Sequence, residues 1–499
     1  MRERQHQKHS FTANTGRGAL VALSALVLAA CAVGPNYERP ASALDTGFIN
    51  AGASATDAQV ASPDIASFWR GFNDAALTAL IERALFANGD VRIAQARLQE
   101  ARASLVEAGA NALPGAGIDS GITRSVRPST QQPGATRSER TGTVYDASFI
   151  ANWELDFFGR YRRASESAAA LVGASEAGLG AAHTAVAAEV ARNYLELRGL
   201  QQRAQVTKAA LVNQREALRI VQARLDAGRG TQLDVARATT LVTSTEAALP
   251  ALQTAIERAA LRLATLTAEA PRALLAELAS PAPLPGLPVT DLASLPIGTP
   301  TQWLQRRPDV LAAERQLAAA TANIGVAKAD LFPRISLSGL LGLNAAVLGD
   351  LGKSDSTLYS LGVGLTWTPF DSGRLRARVD ASEARAQQSL ARYEQTVAIA
   401  LEETEGAFSG FNRSAQRAER LDAAARSAEE AVRLARLRFE AGVTDFLIVL
   451  DAEREALANR DQLVQAQIGT ATALVVVYRA LGGGWAAPTE ASATLSSAR

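Results

Sequence analysis

The 499-residue chain contains a single cysteine, Cys31, a single methionine, Met1, and three histidines, His6, His9 and His183. One cysteine excludes an internal disulfide. Two of the histidines lie within the first ten residues and the third falls on a helical stripe, so no histidine-based catalytic pair or metal cluster can be assembled once the N-terminus is processed. With no methionine beyond Met1, soft ligands for copper are missing as well. Net charge is almost absent at +1, and nothing in the bulk electrostatics calls for nucleic acid. Long apolar runs are also lacking: the run from Ala19 to Ala30 is too short to span a bilayer. No enzyme, cofactor or metal is therefore expected. What remains is 47% hydrophobic, enough for a sizeable folded body.

The N-terminus places Arg2, Arg4, Lys8 and Arg17 ahead of that short apolar run, the pattern of a signal peptide over residues 1–30. Leu28-Ala29-Ala30-Cys31 resembles the bacterial lipobox, in which the cysteine is lipidated and becomes the first residue of the mature protein. Ala32 is not the aspartate that retains such lipoproteins at the inner membrane, which favours the outer membrane.

An internal repeat sets the architecture. Asp90-Val91 through Leu113-Pro114 matches Asp309-Val310 through Phe332-Pro333; Trp153 and Gly159-Arg160 match Trp367 and Gly373-Arg374; and residues 224–228 match residues 438–442. Each copy reads helix, strand, strand, long helix, second helix. The strands are predicted at about 114–124 and 143–155, then at about 334–344 and 357–368. In the clearest of them Tyr359, Leu361, Val363, Leu365 and Trp367 alternate with Ser360, Gly362, Gly364, Thr366 and Thr368, so one face suits lipid and the other a watery lumen. The intervening stretches Val126 to Thr141 and Ala345 to Ser356 are rich in Gly, Ser, Thr, Pro and charged residues taken together and read as extracellular loops. The Pro-rich stretch Ala270 to Pro300 reads as a linker. The chain thus divides into a tether at 31–68, a first repeat at 69–267, a linker at 268–300, a second repeat at 301–485 and a tail at 486–499.

After Arg374 a heptad seam runs through Leu390, Tyr393, Val397, Ala400, Thr404, Ala407 and Phe411, continuing to Val432, Ala435 and Phe439. The first copy carries the equivalent stripe from Leu179 to Leu225, interrupted by His183, Asn193, Thr207 and Gln214. At about 1.5 Å per residue the second long helix reaches on the order of 100 Å, enough to cross a wide aqueous gap. Both long helices end at Ala-Gly, with Gly228 and Gly442 suited to the left-handed conformation that stops a helix. Thr231 has capping-box spacing to Asp234 and Thr444 is expected to cap the second return helix, which makes two antiparallel hairpins. Asp156 is placed to accept backbone hydrogen bonds where the first long helix begins.

Four strands cannot close a barrel, and an open edge in lipid leaves unpaired backbone groups that cost several kcal/mol each. Copies must pool their strands. Two would give eight with an interior filled by side chains, three would give twelve with room for water.

The stretches FWRGFNDAAL (68–77), WELDFFGR (153–160), RRPDVLAAERQL (306–317), LFP (331–333), AGVTDFLIVLDAER (441–454) and ALGGGW (480–485), in this order and spacing, resemble the outer-membrane factors of tripartite efflux systems. These are the TolC-like channels, and the similarity is to the lipidated NodT and OprM-like branch. The resemblance implies a mostly α protein with a β-barrel contribution: four transmembrane strands per protomer, a twelve-stranded barrel in a homotrimer and a tunnel of long helical hairpins in the periplasm. It implies docking to a membrane-fusion adaptor and an inner-membrane RND-type transporter, with Gly228, Thr231, Gly442 and Thr444 at the hairpin turns as docking positions. In that family the periplasmic end is narrowed just after the second hairpin turn, which here matches Leu447 and Asp451, with Arg438 and Arg454 as basic partners. The expected function is a passive outer-membrane efflux conduit for small toxic compounds; the alternative is a type I protein secretion channel.

Overall fold

The computed structural model describes residues 32–41, 47–51, 63–292, 295, 297 and 299–485. Cys31 and residues 1–30 and 486–499 lie outside the described residues. A helical turn at Pro63–Ala66 and a 3-10 turn at Phe68–Phe72 lead into α1 (Ala75–Ala87) and α2 (Gly89–Ala110). There follow β1 (Gly115–Val126), α3 (Arg137–Arg140), β2 (Thr141–Leu155), α4 (Arg160–Asp226), α5 (Gln232–Thr267), α6 (Pro271–Leu278) and α7 (Pro300–Leu304). The chain then forms α8 (Pro308–Ala329), β3 (Arg334–Ala345), β4 (Thr357–Thr366), α9 (Arg374–Glu440) and α10 (Phe446–Ala480). Two stretches expected to be loop or linker carry helix. The capping box between Thr136 and Glu139 nucleates α3 and starts β2 at Thr141. Pro271 at the first helical position opens α6, whose Leu274 and Leu278 are buried, so the linker has an apolar face of its own.

The chain forms two compact units. The first comprises Met1–Pro40, Gln99–Ala174 and Ala313–Tyr393 and holds the only sheet among the described residues, four antiparallel strands in the order β1-β2-β3-β4. Register decides its character. Ile118 lies opposite Phe149, Phe149 opposite Leu341 and Leu341 opposite Tyr359; one row on, Ala116, Ala151, Gly339 and Leu361 align, and beyond them Trp153, Leu337 and Val363. Directly paired residues share a face, so the alternation seen in single strands becomes one apolar wall across the whole sheet. The opposite face is mixed: it carries Asp119, Ser148, Gly342 and Leu358 in one row, Gly117, Ile150, Leu340 and Ser360 in the next, and Gly115, Asn152, Ser338 and Gly362 in a third. Yet the apolar wall is uncovered: Leu361 is 87% exposed, and Ile118, Tyr359 and Val363 are exposed as well. Both β1 and β4 pair on one side only.

The two repeats anchor their strands with the same device. The indole of Trp153 donates to the carbonyl of Ala112 and that of Trp367 to the carbonyl of Leu331, each at 3.0 Å. Asp156 accepts from the backbone N–H of Tyr161 and Arg162, at 3.2 and 2.9 Å, and so starts α4; Asp371 accepts from Gly373 and Leu375 before α9.

A strap of residues 32–40 lies on this unit. Val33 N–H donates to Phe158 O at 3.2 Å, and the buried Arg163 donates to Gly34 O and Asn36 Oδ1. Gly34, at φ +101°, rests on Gly325, where an added Cβ would sit 2.5 Å from the Gly325 Cα. The Glu314 carboxylate, its side chain 2% exposed, accepts from Tyr37 Oη at 2.9 Å, from Arg315 at 2.8 Å and from Arg39. Burial pushes the Glu314 carboxyl up, but the Arg39 hydrogen bond and the charges of Arg315 and Arg39 outweigh it and hold it below its ordinary value. A depressed carboxyl stabilises the folded state fully above the ordinary carboxylate pKa of about 4.3 and loses that contribution as pH falls through the depressed value. Glu314→Gln is accordingly expected to loosen the strap at neutral pH and to flatten its acid dependence, read as hydrogen exchange of the Val33 amide, which is bonded to Phe158 O. Identical pH profiles in the two proteins would contradict this.

The second unit comprises Ala41–Leu98, Ser175–Ala312 and Glu394–Arg499. Asp74 caps α1 by accepting from Leu77 N–H and also receives the Tyr194 hydroxyl at 2.8 Å. Trp303 is fully buried, donates its indole N–H to Ala480 O at 2.9 Å and meets Phe48 edge-on at 5.6 Å. The long helices α4 and α9 have 67 residues each, and every seam residue named above is buried or half-buried in them. His183 sits half-buried on the first stripe, where burial lowers its pKa. Among the described residues no helix is long and apolar enough to cross a membrane.

Candidate functional site: the paired hairpin ends

Both long helices stop in the same way. Gly228 and Gly442 each take φ +72°; Gly228 N–H donates to Leu225 O and Arg229 N–H to Arg224 O, while Gly442 donates to Phe439 O and Val443 to Arg438 O. These paired bonds form a Schellman motif, which satisfies the last helix carbonyls and turns the chain at once into the return helix. Thr231 caps α5: its hydroxyl accepts from Asp234 N–H at 3.2 Å and donates to the Asp234 carboxylate at 2.6 Å. Thr444 does not do the same for α10. The capping position is Asp445, whose side chain makes no cap hydrogen bond, and Thr444 stays in the turn. The repeat explains the correction. Counted from the turn glycine, Thr231 corresponds to Asp445, and Thr444 corresponds to Gly230.

The two ends are packed into one body. Ala217 and Val221 from α4, Val235 and Ala238 from α5, Ala435 from α9, and Phe446, Val449 and Leu450 from α10 form a common buried cluster. Arg224 lies 3.9 Å over the ring of Phe439 and donates to its carbonyl at 3.3 Å, and Phe439 in turn meets Phe446 at 5.3 Å. A half-exposed cation over a ring adds about 0.5–1 kcal/mol to such a clamp.

The cluster divides α10 into two faces. Phe446, Val449, Leu450 and Glu453 point inward, while Leu447, Ile448, Asp451 and Arg454 are exposed. Leu447 and Asp451 are spaced i, i+4 and lie on one stripe. Leu447 is 40% exposed although apolar. Asp451 Oδ1 lies 3.2 Å from Arg454 Nη2, a local i, i+3 pair, and among the described residues Arg438 forms no ion pair. Within one chain the structure therefore brings Asp451 and Arg454 together and leaves Arg438 apart.

The tie between helices is a different pair, absent from the sequence reading. Arg436 of α9 donates Nε and Nη2 to Glu453 Oε1 at 3.1 and 2.6 Å, and Glu453 is 6% exposed. A signal for it was present: the two residues flank the same turn with opposite charge, and Glu453 follows Val449 and Leu450 on the inward stripe. Among the described residues no group of three or more potential metal ligands occurs.

With this geometry in hand, comparison with known proteins is informative. The family model described as outer membrane efflux protein matches residues 80–269 and 299–483. Outer membrane protein OprJ of Pseudomonas aeruginosa is 34% identical over 475 residues, covering 94% of this chain and 96% of that protein. The solvent efflux pump outer membrane protein SrpC of Pseudomonas putida is 31% identical over 467 residues, covering 92% and 97%. Among solved structures, the outer-membrane channel OprN superposes with a TM-score of 0.83 at 39% identity, covering 91% of this chain and all of that one.

Proposed function

This chain belongs to the outer membrane efflux protein family, and on that footing we propose that it is the outer-membrane conduit of a tripartite efflux assembly. Three copies pool twelve strands into one barrel, and the helical hairpins form a periplasmic tunnel. The observation that carries this reading is the sheet: its apolar face runs in register across all four strands, is uncovered, and is bounded by two unpaired edges. In hydrocarbon only closure satisfies such edges, and an apolar outer wall backed by a more polar, glycine- and serine-containing face suits a transmembrane barrel. Lipidation at Cys31 adds a second hold on the outer membrane. Efflux is favoured over polypeptide secretion by relatives such as the solvent efflux pump component.

At the periplasmic end, copies of Leu447 form a dry constriction and copies of Asp451 a charged ring, as in other gated pores. Arg454 and Arg438 are the cations that neutralise it. The turns at Gly228, Thr231, Gly442 and Thr444 receive the adaptor, which connects to an RND-type inner-membrane transporter, and small toxic compounds pass outward. The test is electrical. In planar bilayers the wild-type trimer should show low resting conductance and Asp451→Ala a higher one; equal conductance with intact assembly would count against the gate. For the anchor, Cys31→Ala should weaken membrane retention but leave barrel insertion, measured by fractionation. A wholly soluble, folded Cys31→Ala protein would overturn the membrane-spanning reading.

A further inference from the structure

In the first unit, α8 and α9 border an open-sided cavity of about 710 Å³, to which α4 contributes Leu171. Three arginines of α9 line it: Arg378, Arg385 and Arg392. They recur every seventh residue, so they share one face of the helix and stand about 10 Å apart along it. The only carboxylate of the wall, Asp330, is already engaged, with its Oδ1 2.6 Å from Arg334 Nη2 and 3.3 Å from Arg160 Nε. Arg378 and Arg385 are exposed, and among the described residues neither guanidinium has an ion pair or a hydrogen bond. Gln316, Asn323 and Gln388 add neutral polar groups, and Leu171 and Val326 add apolar surface. What this wall offers in excess, and offers to solvent, is guanidinium N–H.

That excess selects an occupant by charge. A cation would be repelled by the arginine row, and a neutral apolar molecule would gain nothing from it. An anion receives charge-assisted hydrogen bonds, and the planar guanidinium fork matches the paired oxygens of carboxylate, sulfonate or phosphate. The spacing selects by length. A compact anion reaches one arginine, whereas acid groups about 10 Å apart on a rigid body reach two, and the second contact forms at high effective concentration. We infer that this cavity is a binding site for extended organic polyanions, whose acid groups meet Arg378 and Arg385 and whose apolar body lies along Leu171 and Val326. Every residue invoked belongs to one unit of one chain, so the site does not depend on how many copies assemble or on what the assembly exports.

The test uses the full-length protein in detergent, with methoxypyrene trisulfonate as the probe, a water-soluble fluorescent polyanion whose sulfonates stand at opposite ends of a flat ring system. Aminomethylpyrene, a cation on the same ring system, is the comparison, and empty micelles supply the blank. Anisotropy should report saturable binding of the trisulfonate that weakens as salt is raised, and none of the cation beyond the blank. Arg378→Gln and Arg385→Gln should each weaken the trisulfonate by about threefold or more, and the double variant by about tenfold or more. Arg376→Gln, on the same helix but outside the cavity, should leave it unchanged. Ala320→Phe narrows the cavity while keeping every charge and should also weaken binding; it decides the matter if the double variant does not fold. No saturable binding to the wild-type protein, wild-type affinity in the folded double variant or in Ala320→Phe, or equal binding of the cation would overturn the inference. So would an equal loss in Arg376→Gln, which would show a diffuse field of positive charge at this end of α9 and no site.

Discussion

Replacing Leu361 with arginine is expected to abolish insertion into the outer membrane, while the same replacement at the adjacent Ser360 leaves insertion intact. Leu361 sits mid-strand in β4, in the row with Ala116, Ala151 and Gly339, and is 87% exposed in the single chain. An arginine on the lipid face near the bilayer midplane costs about 2–4 kcal/mol, and each copy in a closed barrel would bear it. Ser360 belongs to the opposite face, opposite Leu340, where an arginine reaches the lumen and stays hydrated. The two positions are adjacent in β4 and face opposite sides of the sheet, so the contrast tests the face. The check is the fraction of protease-resistant protein in isolated outer membranes. Equal insertion of both variants would mean that the alternation has no relation to lipid.

Trp303→Ala should be the most destabilising single truncation in the second unit. Its side chain is fully buried, its indole N–H is bonded to Ala480 O, and Phe48 and the Arg307 guanidinium pack against the ring at 5.6 Å each. Removing a large buried aromatic typically costs about 3–5 kcal/mol, through lost burial and the cavity left behind. Arg307 would lose its ring contact as well, although its ion pairs with Asp309 at 2.6 Å and Glu403 at 2.8 Å persist. Trp303→Phe retains most of the volume but not the N–H, and should fall between the two. Chemical denaturation of the detergent-solubilised protein reads the difference, and a midpoint unchanged in Trp303→Ala would contradict the packing described.

What could be read from the sequence was what repeats locally. The heptad seam from Leu390 to Phe439 is read correctly to its last residue because a long helix has one buried stripe and its period is visible in any window. Strand faces were legible for the same reason, since alternation survives without knowledge of the partner strand. Single-residue chemistry was less so. Both Thr444 and Asp445 are capping residue types, aspartate the better of the two, and the geometry of the preceding glycine turn decides that α10 begins after Asp445. Contacts across long sequence separation left no local trace: nothing near Tyr37 or Arg39 announces Glu314, nearly three hundred residues away. The Arg436–Glu453 tie was hidden because both residues look like ordinary surface charges until the hairpin is folded.

The most direct test of the shared barrel is the native mass of the detergent-solubilised protein. A species of three times the protomer mass that conducts ions after reconstitution is the result the proposed trimer predicts, in which the edges of β1 and β4, unpaired in the single chain, would pair with neighbouring copies. A stable, monodisperse single chain in the same detergent, with no conductance, would contradict it.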